Sequence, residues 1–185
     1  MTHDARQRLL EIARRSVEAA VHRRATPQLD ENHPELQEEQ GCFVTLKNHG
    51  RLRGCLGNFT SDIPLYQLVA RMAAASATQD PRFTHDPITP AELSQLDIEI
   101  SVLSKLEPIE NPLDIELGVH GIYIRRGMAS GCFLPQVATE TGWSKEEFLS
   151  NCCGHKAGLA PDAWKEPDTE VLVFTAEVFG EENAE

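Results

Sequence analysis

The stretch from Gly41 to Phe59 restricts the possible fold more than any other part of the chain. Gly41-Cys42-Phe43-Val44-Thr45-Leu46-Lys47 alternates apolar and polar residues. After Asn48-His49-Gly50 comes Arg51-Leu52-Arg53-Gly54-Cys55-Leu56-Gly57-Asn58-Phe59. Two short β-type runs around a glycine-containing turn form a hairpin. A three-residue loop predicts a register in which Lys47 faces Arg51. Side chains alternate along a strand, so Cys42, Val44 and Leu46 then share a face with Leu52, Gly54 and Leu56. Arg53 and Cys55 fall on the opposite face. A cation beside a thiol favours the thiolate, the nucleophilic and metal-binding form. Gly54 and Gly57 are poor strand residues and point to a bulge or to close approach of another group.

The remaining elements can be placed around this hairpin. Residues 3–24 carry an apolar stripe at helical spacing through Leu9, Ile12, Ala13 and Val17, with arginines on the rest of the surface. Residues 25–40 are polar and proline-containing and form a connection. Thr60 to Pro64 opens a helix over 64–78 that Asp80-Pro81-Arg82-Phe83 ends. Thr89-Pro90-Ala91-Glu92 is a capping box for a short helix to Leu96. Asp97 to Ser104 alternates as a strand, with Glu99 and Ser101 on its polar face. Ile122–Arg126 and Ala129–Leu134 form a second hairpin. Pro135 opens a short helix that stops at Gly142, and the capping box Ser144–Glu147 starts another running to about Cys153. A last strand covers Glu170 to Phe179. Helices are interspersed with antiparallel strands without a regular βαβ alternation, which predicts an α+β fold with a mixed or antiparallel sheet and flanking helices.

Composition excludes several classes of function. The chain has 185 residues and a formal net charge of −12. An acidic chain gains little from neutralising phosphates, so broad nucleic-acid binding is disfavoured. No apolar run approaches the ~20 residues of a membrane helix, and there is no signal-peptide core. The arginine-rich N-terminus also carries Asp4, Glu11 and Glu18, which argues against a transit peptide. Five cysteines without framework spacing fit the reduced thiols of a cytoplasmic protein. Cys152 and Cys153 are adjacent and the histidines are scattered, so no metal site is expected. No phosphate loop or dinucleotide fingerprint appears, so no tightly held cofactor is expected.

These motifs, in this order, resemble the AMMECR domain family, whose prokaryotic members are called AmmeMemoRadiSam system protein A. The resemblance rests on Gly41–Leu46, Leu52–Gly57, Asp80–Phe83, Ile98–Leu103, His120-Gly121, Leu134–Ala138, Trp143 through Leu149, and Lys156–Leu159 followed by Trp164. It covers residues 5–180. Asn58, where small or hydroxyl residues are common, and Cys42, at an often aliphatic position, depart from the pattern. The resemblance implies a single AMMECR-type domain over residues 1–185, built from a larger α+β part and a smaller lobe. It also implies a Memo-type protein and a radical-SAM protein as partners. It names no reaction.

The candidate catalytic residues are Cys55 as nucleophile or redox thiol, His120 as general base and Glu99 as its orienter. Against these stand plainer readings: Cys55 as a small buried hydrophobe and His120 as a loop histidine bonded to backbone. Arg53, Gly54, Gly57, Asp80, Arg82, Gln136 and Lys156 are candidate binding residues. Arg53 can equally be structural, with Glu99 as a possible carboxylate partner. Asp80 and Arg82 are expected to form a local salt bridge and cap, or Arg82 to hold an anion. Gln136 is expected to bond backbone and Lys156 to meet the end of its helix. Three functions compete: an accessory enzyme with a pocket centred on Arg53 and Cys55, a non-catalytic adaptor or ligand-binding module of the same system, and an RNA-modification component.

Overall fold

A computed structural model describes residues 1–25 and 27–181. Thr26, inside the connection expected over 25–40, and residues 182–185, at the end of the expected domain, lie outside the described residues. The chain divides into two compact units, Met1–Leu103 with the segment from Glu177 on, and Ser104–Ala176.

The first unit contains α1 (His3–Val21), β1 (Cys42–Asn48), β2 (Arg51–Asn58), α2 (Leu65–Thr78) and β3 (Leu96–Leu103). The second contains β4 (Glu107–Pro108), β5 (Gly121–Arg126), β6 (Ala129–Phe133), α3 (Pro135–Thr141), α4 (Lys145–Asn151) and β7 (Glu170–Phe174). β8 (Ala176–Gly180) returns the chain to the first sheet, whose strand order is β2-β1-β3-β8. The second sheet has the order β4-β7-β5-β6. The strand pairs β1–β2, β1–β3, β4–β7, β5–β6 and β5–β7 are antiparallel, and the fold is α+β.

In the first unit, the inward residues of β1 and β3, Val44, Leu46, Ile98 and Ile100, are fully buried with Leu9, Val17, Leu68 and Val69 of the helices. Each such side chain contributes about 1.5–3 kcal/mol on leaving water. Thr2 caps α1 through its side chain, and Pro64 stands in extended conformation just ahead of α2 rather than inside it. The Thr89–Glu92 capping box forms as expected, but it opens a 3-10 helix, Pro90–Gln95.

The hairpin differs from its expected register. His49 (φ 48°) and Gly50 (φ 76°) form a two-residue turn with positive φ at both positions, the geometry that matches strand twist. Asn48 therefore pairs with Arg51, and Lys47 pairs with Leu52 instead of Arg51. A bulge between Leu46 and Lys47 makes Arg53 the extra residue, after which Leu46 pairs with Gly54, Thr45 with Cys55 and Val44 with Leu56. Gly54 and Leu56 thus keep their expected core face, while Leu52 moves to the opposite one.

The second unit buries Ile122, Ile124, Phe133, Phe148, Leu149 and Trp164. Ser144 and Glu147 form the capping box of α4, which runs on into a π-helical turn, Cys152–Ala157, ended by Gly158 in left-handed conformation. A Cβ at Gly131 would collide with the backbone of Lys156 and Ala157, so glycine lets this turn lie directly on β6. The last strand, expected to run unbroken from Glu170 to Phe179, is instead two strands in different sheets. At the break, Ser104 N donates to Thr175 O and Thr175 N donates to Ser104 Oγ, both at 2.9 Å.

Candidate functional site

β1 and β2 carry two very different faces. On the core side, α2 approaches so closely that a Cβ at Gly54 would collide with Ser76 O. The buried Ser76 hydroxyl donates to Val44 O at 2.8 Å and accepts from Leu56 N at 2.9 Å, bridging a cross-strand pair from above. On the other side lie Phe43, Thr45 and Lys47 of β1, Cys55 and Gly57 of β2, and Glu99 of β3. Thr45 pairs with Cys55 on one flank and with Glu99 on the other, so Cys55, Thr45 and Glu99 form one cross-strand row. The Thr45 hydroxyl donates to Cys55 Sγ at 3.2 Å. Gly57 is needed here because a Cβ would strike the Phe43 ring and Cys42 O. That ring packs edge-on against Phe59 at 5.0 Å between centroids.

Cys55 sits in an edge strand, yet its outward backbone groups are not left open. Cys55 N donates to Asp80 Oδ2 at 2.9 Å, and Arg82 Nη2 donates to Cys55 O at 3.2 Å. Asp80 also caps Arg82 N at 3.1 Å and pairs with the Arg82 guanidinium at 2.6 Å, the local salt bridge and cap expected from the sequence. The Asp80 carboxyl is pulled down to about 2, chiefly by Arg82, with burial opposing and the Cys55 and Arg82 amides adding. Arg82 is correspondingly raised, first by Asp80, and the Cys55 side chain is among the groups that hold its charge.

Arg53 does not occupy the expected place beside the thiol. As the bulge residue it is 3% exposed, and its guanidinium donates to Asp86 at 2.6 Å and to Glu92 at 3.1 Å. Burial alone would lower Arg53, but these two carboxylates outweigh it and hold the group above its ordinary value. Glu92 accepts from Asn48 Nδ2 as well, which ties the 3-10 helix to the hairpin turn. Glu99 is not the Arg53 partner; it pairs with Lys47 Nζ at 3.0 Å, its cross-strand diagonal neighbour.

His120, Gln136 and Lys156 belong to the second unit. His120 Nδ1 accepts from Glu116 N at 3.1 Å, and His120 N donates to Glu116 O at 2.8 Å. An accepting ring nitrogen carries no proton, so the neutral ring bears its hydrogen on Nε2 and presents a donor there. These two bonds match the plainer reading of His120, a loop histidine bonded to backbone. Gln136 Oε1 is buried with no hydrogen-bond partner among the described residues, so this atom does not make the expected backbone bond. Lys156 Nζ lies 5.6 Å from the Phe133 ring centroid, a cation–π contact.

All five cysteines are free. Burial pushes Cys42 up to about 12 and Cys132 up to about 11, and also raises Cys152 and Cys153. Among the described residues, no group of three or more His, Cys, Asp or Glu is arranged to hold a metal ion, and no helix is long and apolar enough to cross a membrane. Thr45, Ser76, Asp86 and Glu92 complete the site but are not among the site candidates read from the sequence, where Glu92 figures only as a helix cap. Only Thr45 carried a readable signal, since period-two alternation already puts it on the face of β1 away from Val44.

A family model described as AMMECR1 matches residues 10–179. A protein from Methanothermobacter thermautotrophicus is 41% identical over 189 residues, covering 98% of this chain and 97% of its own length. A protein from Thermococcus kodakarensis is 43% identical, covering 94% of this chain and 89% of its own length. The crystal structure of an uncharacterized protein from Pyrococcus horikoshii superposes with a TM-score of 0.82 at 40% identity, covering 95% of this chain and 91% of its own.

Proposed function

Because the chain belongs to the AMMECR1 family, we propose that it is a cytoplasmic accessory enzyme that works with a Memo-type protein and a radical-SAM protein, using Cys55 as its reacting thiol. The observation that carries this reading is the grip on Cys55. Its N–H is held by Asp80 and its C=O by Arg82, while the side chain stands in a row with Thr45 and Glu99. A nucleophile gains from such fixed placement because little reorganisation remains when a substrate arrives. The substrate class is an electrophilic small molecule or a modified biopolymer, handled by acyl-type transfer or thiol redox. Glu99, paired with Lys47, supplies polarity to the same face. His120 has no base role in this reading.

The test is a reconstituted assay with the Memo-type and radical-SAM proteins, run with wild type, Cys55→Ser and Cys55→Ala. Loss of turnover in both variants, with unchanged far-UV circular dichroism, supports the enzyme. Full turnover in both removes it.

The adaptor reading has its own support. Arg53 and Gly54 serve packing, since the one is enclosed by Asp86 and Glu92 and the other makes room for α2. The half-exposed guanidinium of Arg82 then offers a docking point for a partner carboxylate. Undiminished turnover of Cys55→Ala, combined with weakened partner binding by Arg82→Gln, is the outcome that selects this reading.

A further inference from the structure

From the contacts around Cys55 we propose that Asp80 and Arg82 act as a balanced charge pair that positions Cys55 and sets its reactivity, so that neutralising one or the other swings the thiol in opposite directions. The inference rests on the reading of Cys55 as the reacting group. It differs from the sequence expectation in naming Arg82, not Arg53, as the cation that acts on the sulfur.

The pair touches Cys55 at both of its outward backbone groups: Asp80 Oδ2 accepts from Cys55 N at 2.9 Å, and Arg82 Nη2 donates to Cys55 O at 3.2 Å. Asp80 is 4% exposed, so its charge is poorly screened at this range. The Cys55 side chain is also among the groups that support the Arg82 charge. One unit of negative charge and one of positive charge therefore bear on the same residue from the same short segment. Removing Arg82 leaves a buried carboxylate that disfavours thiolate, and removing the Asp80 charge leaves a guanidinium that favours it.

Among the described residues, the other charged groups on β1, β2 and β3 near this face are the following. Lys47 on β1 is paired with Glu99 on β3. Asp97, also on β3, stands opposite Lys47 in the strand register, two positions along β1 from Thr45. Arg53 and Arg51 on β2 both reach Asp86, and Arg53 reaches Glu92 as well.

The experiment is the pH dependence of iodoacetamide alkylation at Cys55, followed by peptide mass spectrometry on the full chain. Wild type is compared with Arg82→Gln, Arg82→Lys, Asp80→Asn and Arg51→Gln. Asn keeps an acceptor for Cys55 N, so Asp80→Asn separates charge from hydrogen bonding. Arg82→Gln is expected to move the pH of half-maximal alkylation upward by about half a unit to one unit. Asp80→Asn is expected to move it downward, Arg82→Lys to restore most of the wild-type profile, and Arg51→Gln to leave it in place. Superimposable profiles for wild type, Arg82→Gln and Asp80→Asn overturn the proposal, as does an equal shift in Arg51→Gln. If Asp80→Asn fails to fold, Arg82→Gln against Arg82→Lys and Arg51→Gln decides alone. The readout is chemical, so full turnover of both Cys55→Ser and Cys55→Ala in the reconstituted assay removes the enzyme reading without touching this result.

Discussion

The guanidinium of Arg53 donates to the carboxylate of Asp86 at 2.6 Å, and it does so from a side chain that is 3% exposed. The bond fastens the β-bulge to the loop ahead of the 3-10 helix, and Glu92 receives a second arm of the same group. Removing the cation leaves Glu92 with its bonds from Asn48 and Thr89 but without this charged partner. Arg53→Ala is expected to cost about 1–2 kcal/mol in urea denaturation, because Asp86 is 58% exposed and returns to water while Glu92 loses a charged hydrogen bond. Arg53→Lys keeps the charge but loses the fork and falls between the two. Neither change moves the alkylation profile of Cys55, which separates this brace from the Asp80–Arg82 pair.

Gly54→Ala introduces a methyl group against the carbonyl of Ser76, a backbone atom that cannot swing aside. The variant is expected to lose roughly 3 kcal/mol, at the upper end for overpacking, because α2 must lift from β2. Amide exchange at Leu56, whose N–H is held by the Ser76 hydroxyl, reports the lift directly.

Asp80 makes stability depend on acid. Its folded value of about 2 lies below the 3.8 of an ordinary aspartate, so its contribution is fully present above about pH 4. As pH falls from 4 through 2 the folded carboxylate takes up its proton and roughly 2 kcal/mol is lost. Urea midpoints at pH 7, 4 and 2.5 should fall more steeply for wild type than for Asp80→Asn, which has no proton to gain at that position.

His49 sits at φ 48°, in the left-handed region, as the first of two turn residues. Asparagine followed by glycine is the preferred pair for this geometry. His49→Asn is therefore expected to raise stability by about 0.5 kcal/mol, visible as a higher Tm.

The sequence carried some of this site plainly. Alternation put Cys55 on the face away from Cys42, and an Asp-Pro-Arg run at the end of a helix announced the cap between Asp80 and Arg82. Glycine at 54 and 57 announced close approach, and both positions are crowded. The partners of Arg53 were not legible. Asp86 and Glu92 lie 33 and 39 residues away, among 29 acidic residues, and only the tertiary path of the loop selects them. The bulge was hidden for a related reason. A turn one residue shorter than expected changes the pairing at its own end, and the extra residue is then absorbed further along, where the buried face demands that Gly54 and Leu56 point inward. The tautomer of His120 depends on a backbone amide four positions earlier and has no signature in residue type.

The mutual bonds between Ser104 and Thr175 join the first and last residues of the excursion that separates β3 from β8. An insert whose two ends are stitched together behaves as a cassette. Its two ends are held together by these bonds, so the length of chain between them does not enter the geometry of the closure.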